Sequence, residues 1–249
     1  MTPPLFSPLA DSFFLPGGSH GILLLHGFTA CPSQMIPLAR LLNEAGFSVG
    51  CIRLPGHGTS AEDMKQSTWQ QWLDAALDAA KRMQAAFPVF SVAGLSMGGA
   101  LSLIIAGKLN PHACVTLAAP TAAANPFARF ARVLHPIYPT VRTHSPREHT
   151  RSEYDLGYRE YPTKKVADLN RIISLSNAAL PSVTCPLLSV QSVRDKTIVP
   201  QSMDTIQQRA ASSVKEHLWL KDAPHVVTLS SELPLIADTM IRFLRENEV

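Results

Sequence analysis

Val89-Phe90-Ser91-Val92-Ala93-Gly94-Leu95-Ser96-Met97-Gly98-Gly99-Ala100-Leu101-Ser102-Leu103-Ile104-Ile105-Ala106 changes character at its middle. Up to Leu95 it is an apolar run of strand length, and from Met97 to Lys108 it reads as a helix. Only Ser96 separates the two, so strand and helix must lie close together there. Gly94 and Gly98 stand two positions on either side of Ser96, and Gly99 follows. Small residues are what such crowding demands. A strand that feeds straight into a helix is the repeating unit of a parallel sheet.

Working outward, the same alternation recurs. Ile22-Leu23-Leu24-Leu25 is a continuous apolar run after Gly17-Gly18 and reads as a buried central strand. Pro32 to Ala45 reads as a helix with Met35, Leu38, Ala39 and Leu42 on one face and Gly46 as its stop. Phe47 to Leu54 is the next strand, closed by the Pro55-Gly56-His57-Gly58 turn. Thr68 and Gln71 fit a capping box, followed by Trp69, Trp72, Leu73, Ala76, Leu77 and Ala80 at helical spacing. Beyond the central stretch come a strand at Ala113–Leu117, a strand at Leu187–Val190, a helix after Pro200 and a strand at Val214–Leu220. The closing helix carries Leu233, Ile236, Ala237, Met240, Ile241 and Leu244 on one stripe. The fold class predicted is α/β, with a mostly parallel central sheet flanked by helices.

Composition fits one domain with a large core. The chain has 249 residues, 46% hydrophobic and 16% charged, with a net charge of +3. Overall disorder and a coiled coil are excluded, and the charge is too balanced to point to nucleic acid. No window approaches a transmembrane length, and the N-terminus Met1 to Pro8 lacks the basic start and apolar run of a secretory signal. Cys31, Cys51, Cys114 and Cys185 are scattered without metal-type spacing, so they read as free buried thiols. A cytoplasmic protein with no integral membrane segment is the expectation; the sequence leaves the oligomeric state open.

Residues 121–180 break the rhythm. No parallel-strand run is visible there, all four tyrosines (Tyr138, Tyr154, Tyr158, Tyr161) fall inside, and nine basic residues stand against five acidic ones. A small helical cap inserted between two strands accounts for this better than a 60-residue structureless loop. The division expected is therefore 1–120 and 181–249 as core, 121–180 as cap. The excess charge reads either as a solvated helix surface or as a field that steers anionic substrates.

Ser96 on a strand-to-helix turn is a candidate nucleophile, and a serine hydroxyl needs a base that is itself oriented by an acid. His225 lies in the loop between the last strand and the last helix, at the carboxyl edge of the sheet where open α/β sheets place their sites. His57 and His26 read as structural residues of their turns, His112 and His217 as ordinary strand-flanking residues, and His135, His144 and His149 as cap residues. Asp195 follows the Leu187–Val190 strand directly and is the acid; Asp222 reads as a turn residue and Asp204 as helical. An oxyanion would be met by the backbone N–H groups of Met97 and of Phe28, with Gly27 letting the loop approach. No metal or organic cofactor is required by this chemistry.

These residues together resemble the α/β-hydrolase family over the whole chain. His26-Gly27-Phe28-Thr29, Gly94-Leu95-Ser96-Met97-Gly98-Gly99, Asp195 before Ile198-Val199-Pro200, and Ala223-Pro224-His225-Val226-Val227 look most like its bacterial carboxylesterase and monoacylglycerol lipase branch. That branch often has Gly immediately before the catalytic histidine; Pro224 stands there in this chain. The resemblance implies a cap over the site and hydrolysis of carboxylic esters, short-to-medium acyl esters or monoacylglycerols. A serine at the turn argues against the branches that use a carboxylate there. Thioesterases, C–C bond hydrolases and slow-turnover receptors share the same triad. The Phe28 and Met97 side chains, with Phe127 and Phe130, read either as an acyl pocket or as ordinary core packing.

Overall fold

The computed structural model describes residues 7–122, 139–142 and 152–248. Seven strands form the main sheet: β1 (Phe13–Leu15), β2 (His20–Leu25), β3 (Ser48–Ile52), β4 (Val89–Leu95), β5 (Ala113–Leu117), β8 (Leu187–Ser192) and β9 (Lys215–Leu220). Their spatial order is β1-β3-β2-β4-β5-β8-β9. All neighbours run parallel except β1, which pairs antiparallel with β3 at the edge. The mostly parallel sheet expected from the alternation is present.

Helices cover both faces because the central strands are apolar on both sides. In β2, Ile22 and Leu24 point into one layer, with α1 (Ile36–Glu44) and α7 (Leu233–Glu246). Leu23 and Leu25 point into the other, with α3 (Trp69–Ala86) and α4 (Met97–Leu109). Such period-2 alternation with no polar face is what a doubly covered strand requires. Helix α3 begins with the capping box: Gln71 N–H donates to Thr68 Oγ1 at 3.3 Å, and Thr68 N–H donates to Gln71 Oε1 at 2.9 Å. Trp72, fully buried, anchors the helix, and its indole N–H reaches Pro55 O at 3.0 Å and Ser67 Oγ at 3.1 Å. Burial of that side chain contributes about 3 kcal/mol.

Several boundaries differ from the sequence reading. Pro32–Met35 is a 3₁₀ turn and only Ile36–Glu44 is α-helical, because Pro32 opens the turn and Pro37 falls at the start of the helix. A short helix, α2 (Ala61–Gln66), precedes α3; it is capped by Ser60 Oγ accepting from Asp63 N–H at 3.1 Å. The edge strand β1 is only three residues long and went unanticipated. Within 121–180, β6 (Thr140–Arg142) and β7 (Glu160–Pro162) form an antiparallel pair, and α5 (Lys164–Ala179) packs on α4. Ile172 of α5 is fully buried in the apolar cluster that holds Leu101 and Ala106. Helix α6 (Gln201–Arg209) contains Asp204, as its spacing predicted. Phe127, Phe130, His135, His144 and His149 lie outside the described residues.

Candidate active site

Four loops converge at the carboxyl ends of parallel strands: those after β2, β4, β8 and β9. The one after β4 is the tightest. Ser96 has φ 55° and ψ −116°, a positive-φ conformation that side-chain-bearing residues rarely adopt. It is held there by Ser96 N–H donating to Leu117 O at 2.8 Å and by Ala100 N–H donating to Ser96 O at 3.1 Å. The flanking glycines are steric necessities. A Cβ at Gly94 would sit 2.2 Å from the Gly98 carbonyl carbon, and one at Gly98 would sit 2.1 Å from Leu25 O. The crowding read from the sequence is thus between backbones, which cannot step aside.

His225 and Asp195 reach Ser96 at the same edge of the sheet, from the loops after β9 and β8. His225 Nε2 lies 3.0 Å from Ser96 Oγ, and His225 Nδ1 lies 2.8 Å from Asp195 Oδ2. With Nδ1–H donating to the carboxylate, Nε2 is left to accept the serine proton. The Asp195 carboxylate is 0% exposed and the imidazole 19%. Asp195 Oδ1 accepts from Thr197 N–H at 2.7 Å and Ile198 N–H at 3.0 Å. Burial pushes the Asp195 pKa up, but the bond and charge of His225 and those two amides outweigh it, leaving the carboxyl below its ordinary value. Asp222, by contrast, is exposed and pairs with Arg194 at 3.1 Å.

The loop after β2 brings Gly27 against the nucleophile: a Cβ there would meet Ser96 Cβ at 3.5 Å. The N–H groups of Phe28 and Met97 have no partner among the described residues. His26 pins this loop. Its Nδ1–H donates to Gly27 O at 2.9 Å and its Nε2 accepts from Leu54 N–H at 3.1 Å, while burial lowers its pKa to about 4. It is neutral and fully engaged, so it is structural. His57 is equally buried, its Nδ1 3.1 Å from Pro55 O, and its pKa is lowered to about 3, chiefly by burial and then by His26. The Met97 side chain is fully buried in the apolar cluster rather than facing an open pocket. The Phe28 ring is half-buried, 5.1 Å from that of Tyr161 and 5.9 Å from that of Trp72.

A family model described as "Serine aminopeptidase, S33" matches residues 19–232, which takes in every one of these loops. The chain belongs to this S33 family of α/β-hydrolases. The thermostable monoacylglycerol lipase of Bacillus sp. (strain H-257) is 31% identical over 245 residues, covering 96% of this chain and 95% of that one. The carboxylesterase of Bacillus subtilis (strain 168) is 24% identical over 237 residues, covering 94% and 96%. Among solved structures, one described with LipS and LipT, two metagenome-derived lipolytic enzymes, superposes with a TM-score of 0.90 at 29% identity, covering 96% of this chain and 98% of that one.

One S33-chain residue that matters to the site escaped the sequence reading. Both carboxylate oxygens of Glu232 accept from the consecutive amides of Lys221, Asp222 and Ala223, at 3.0, 2.9 and 2.8 Å. Ser192 Oγ donates to Ala223 O at 2.5 Å and accepts from Arg194 N–H at 3.1 Å. These bonds tie the loop of His225 to the loop of Asp195. The only signal in the sequence was an acidic residue just before the last helix, which is ordinary for a helix start.

Proposed function

We propose that this chain is a serine hydrolase of carboxylic esters, acting on short-to-medium acyl esters or monoacylglycerols. The observation that carries the reading is the relay Asp195–His225–Ser96, with distances of 2.8 and 3.0 Å, built on a strained strand-to-helix turn. Ser96 Oγ attacks the ester carbonyl while His225 Nε2 takes its proton. Asp195 keeps the imidazole in the tautomer with Nδ1–H and stabilises its charge once protonated. The carbonyl oxygen, now negative, is met by the N–H groups of Phe28 and Met97. His225 then protonates the leaving alcohol, giving the acyl-enzyme. Water, deprotonated by the same imidazole, releases the acid and restores Ser96. Every proton stays within the triad, substrate and water.

Similarity to proteins named as a monoacylglycerol lipase and a carboxylesterase, over 95% and 96% of their lengths, supports an ester rather than a thioester or C–C substrate. We assign residues 121–180 the role of a cap, with α5 as the part seated on the core and β6–β7 beside Phe28 through Tyr161. A small-molecule ester is the partner required. Among the described residues no helix is long and apolar enough to cross a membrane. A cytoplasmic location rests on the four free buried cysteines.

The test is hydrolysis of p-nitrophenyl esters from acetate to palmitate, with 1-monoacylglycerols alongside, by wild type and Ser96→Ala. The expected result is a rate that peaks at a defined acyl length and is lost in Ser96→Ala. Folded protein inactive on every ester but active on acyl thioesters would overturn the substrate class.

A further inference from the structure

Two loops without regular structure meet around Phe28. One is the segment after β2, in which Thr29 holds φ 64°, a left-handed conformation that a β-branched residue resists. The other is the Pro55–Thr59 turn, whose His57 ring stands edge-on to the Phe28 ring at 6.2 Å and 5.2 Å from that of His26. His26 and the Trp72 indole anchor the bases of the two loops, at Gly27 and at Leu54–Pro55, and leave Phe28–Thr29 and Gly56–Thr59 to be held from elsewhere. Residues 152–158, returning from the segment inserted between β5 and β8, hold both.

The strap lies along the first loop by successive bonds. Ser33 Oγ donates to Tyr154 O at 2.7 Å, Gln34 Nε2 donates to Asp155 Oδ1 at 2.9 Å, and Cys31 Sγ donates to Leu156 O at 3.3 Å. Tyr158 finishes it and also crosses to the second loop. Its backbone N–H donates to Thr29 O at 2.9 Å, one residue past Phe28. Its hydroxyl accepts from Thr59 N–H at 2.9 Å and donates to Gly56 O at 2.9 Å, closing the turn that carries His57. Its side chain is buried, the residue being 6% exposed. Apolar packing needs only the ring. The hydroxyl would be superfluous unless the turn had to be held.

We propose that Tyr158 is a positioning residue for the oxyanion site, setting the Phe28 amide from both sides and making that amide's placement depend on the inserted segment. The inference rests on the reading of Phe28 N–H as an oxyanion donor. Tyr158 touches no reacting atom; it acts through Thr29 and through the His57 turn. Oxyanion donors act by being in place before charge develops, so a displaced amide loses rate while ground-state binding is spared.

The experiment compares wild type, Tyr158→Phe and Arg40→Ala. Arg40 is exposed and bonds Tyr154 at the far end of the strap, so its removal is the control. Ester hydrolysis is expressed per serine titrated with a fluorophosphonate, which counts only folded sites, and inhibition by an alkyl trifluoromethyl ketone is measured in parallel. Tyr158→Phe is expected to lower kcat per titrated site about 10- to 100-fold with KM unchanged, and to raise the ketone Ki by a similar factor. Arg40→Ala stays within about twofold of wild type on both readouts. If Tyr158→Phe only melts earlier or titrates to a smaller fraction, with kcat per site and Ki unchanged, the residue is structural and the inference fails. A wild type that hydrolyses esters but is not inhibited by the ketone would remove the oxyanion reading beneath it, which is a separable outcome.

Discussion

Ser96, at φ 55° and ψ −116°, is a serine where glycine would be more comfortable. Such strain costs about 1–3 kcal/mol and persists only where the surroundings over-determine it. Ser96→Gly is therefore expected to raise stability by about 1 kcal/mol, or about 2–4 °C in Tm, while abolishing hydrolysis. A lower Tm would mean that the turn is not strained. Asp195→Asn keeps an oxygen for the Thr197 and Ile198 amides but can impose the wrong imidazole tautomer, and kcat should fall about 10⁴-fold. Glu232→Gln replaces charge-assisted bonds with neutral ones at the loop of His225; steady-state kinetics should show kcat reduced about 3- to 10-fold with KM little changed. Ser96, His225 and Asp195 were legible because each lies shortly after an apolar run of strand length, and such runs stand out even where their exact ends do not. Glu232 and Tyr158 were not. Their partners are backbone amides and carbonyls, which every residue carries and no sequence pattern marks.

At the scale of elements, the junction of β2, β4 and α4 is a contact between main chains. A methyl group at Gly98 would lie 2.1 Å from Leu25 O, and neither partner is a flexible side chain. Gly98→Ala is expected to cost 1–3 kcal/mol or more, seen as a drop in Tm or failure to express, although Ala is the better helix former. An unchanged Tm would show that α4 can move away from β2. The strands and the long helices were readable because their apolar residues repeat at 2 or 3.6 positions along enough chain to average out exceptions. The three-residue β1 and the six-residue α2 are too short for any period to show. Helix α5 had its signal in Val166, Leu169, Ile172 and Ile173, but the charged residues around it kept that period from standing out within the inserted segment.

Across the whole molecule, His26 and His57 are buried neutral groups under the site, with pKa values lowered to about 4 and about 3. Unfolding returns both to about 6.5, so between those values the unfolded chain binds more protons and stability falls as pH falls. Asp195 and Glu232 are shifted downward as well, and their contribution, complete above about pH 4, disappears as pH drops through their folded values. Thermal unfolding should therefore show Tm declining from pH 7 to pH 5, each histidine contributing up to about 1.4 kcal/mol per pH unit, with further loss below pH 4 as the two carboxylates are protonated. A flat profile from pH 7 to 5 would contradict the neutral assignment. Asp195, His225 and Ser96 lie within hydrogen-bond distance of one another, so the chemistry of the relay can be probed directly. Stoichiometric labelling with a fluorophosphonate, followed by peptide mapping and assay of residual ester hydrolysis, is the most direct test. One label on Ser96, with activity lost in proportion, is the predicted result. Label on another residue, or hydrolysis that survives complete labelling of Ser96, would contradict the account.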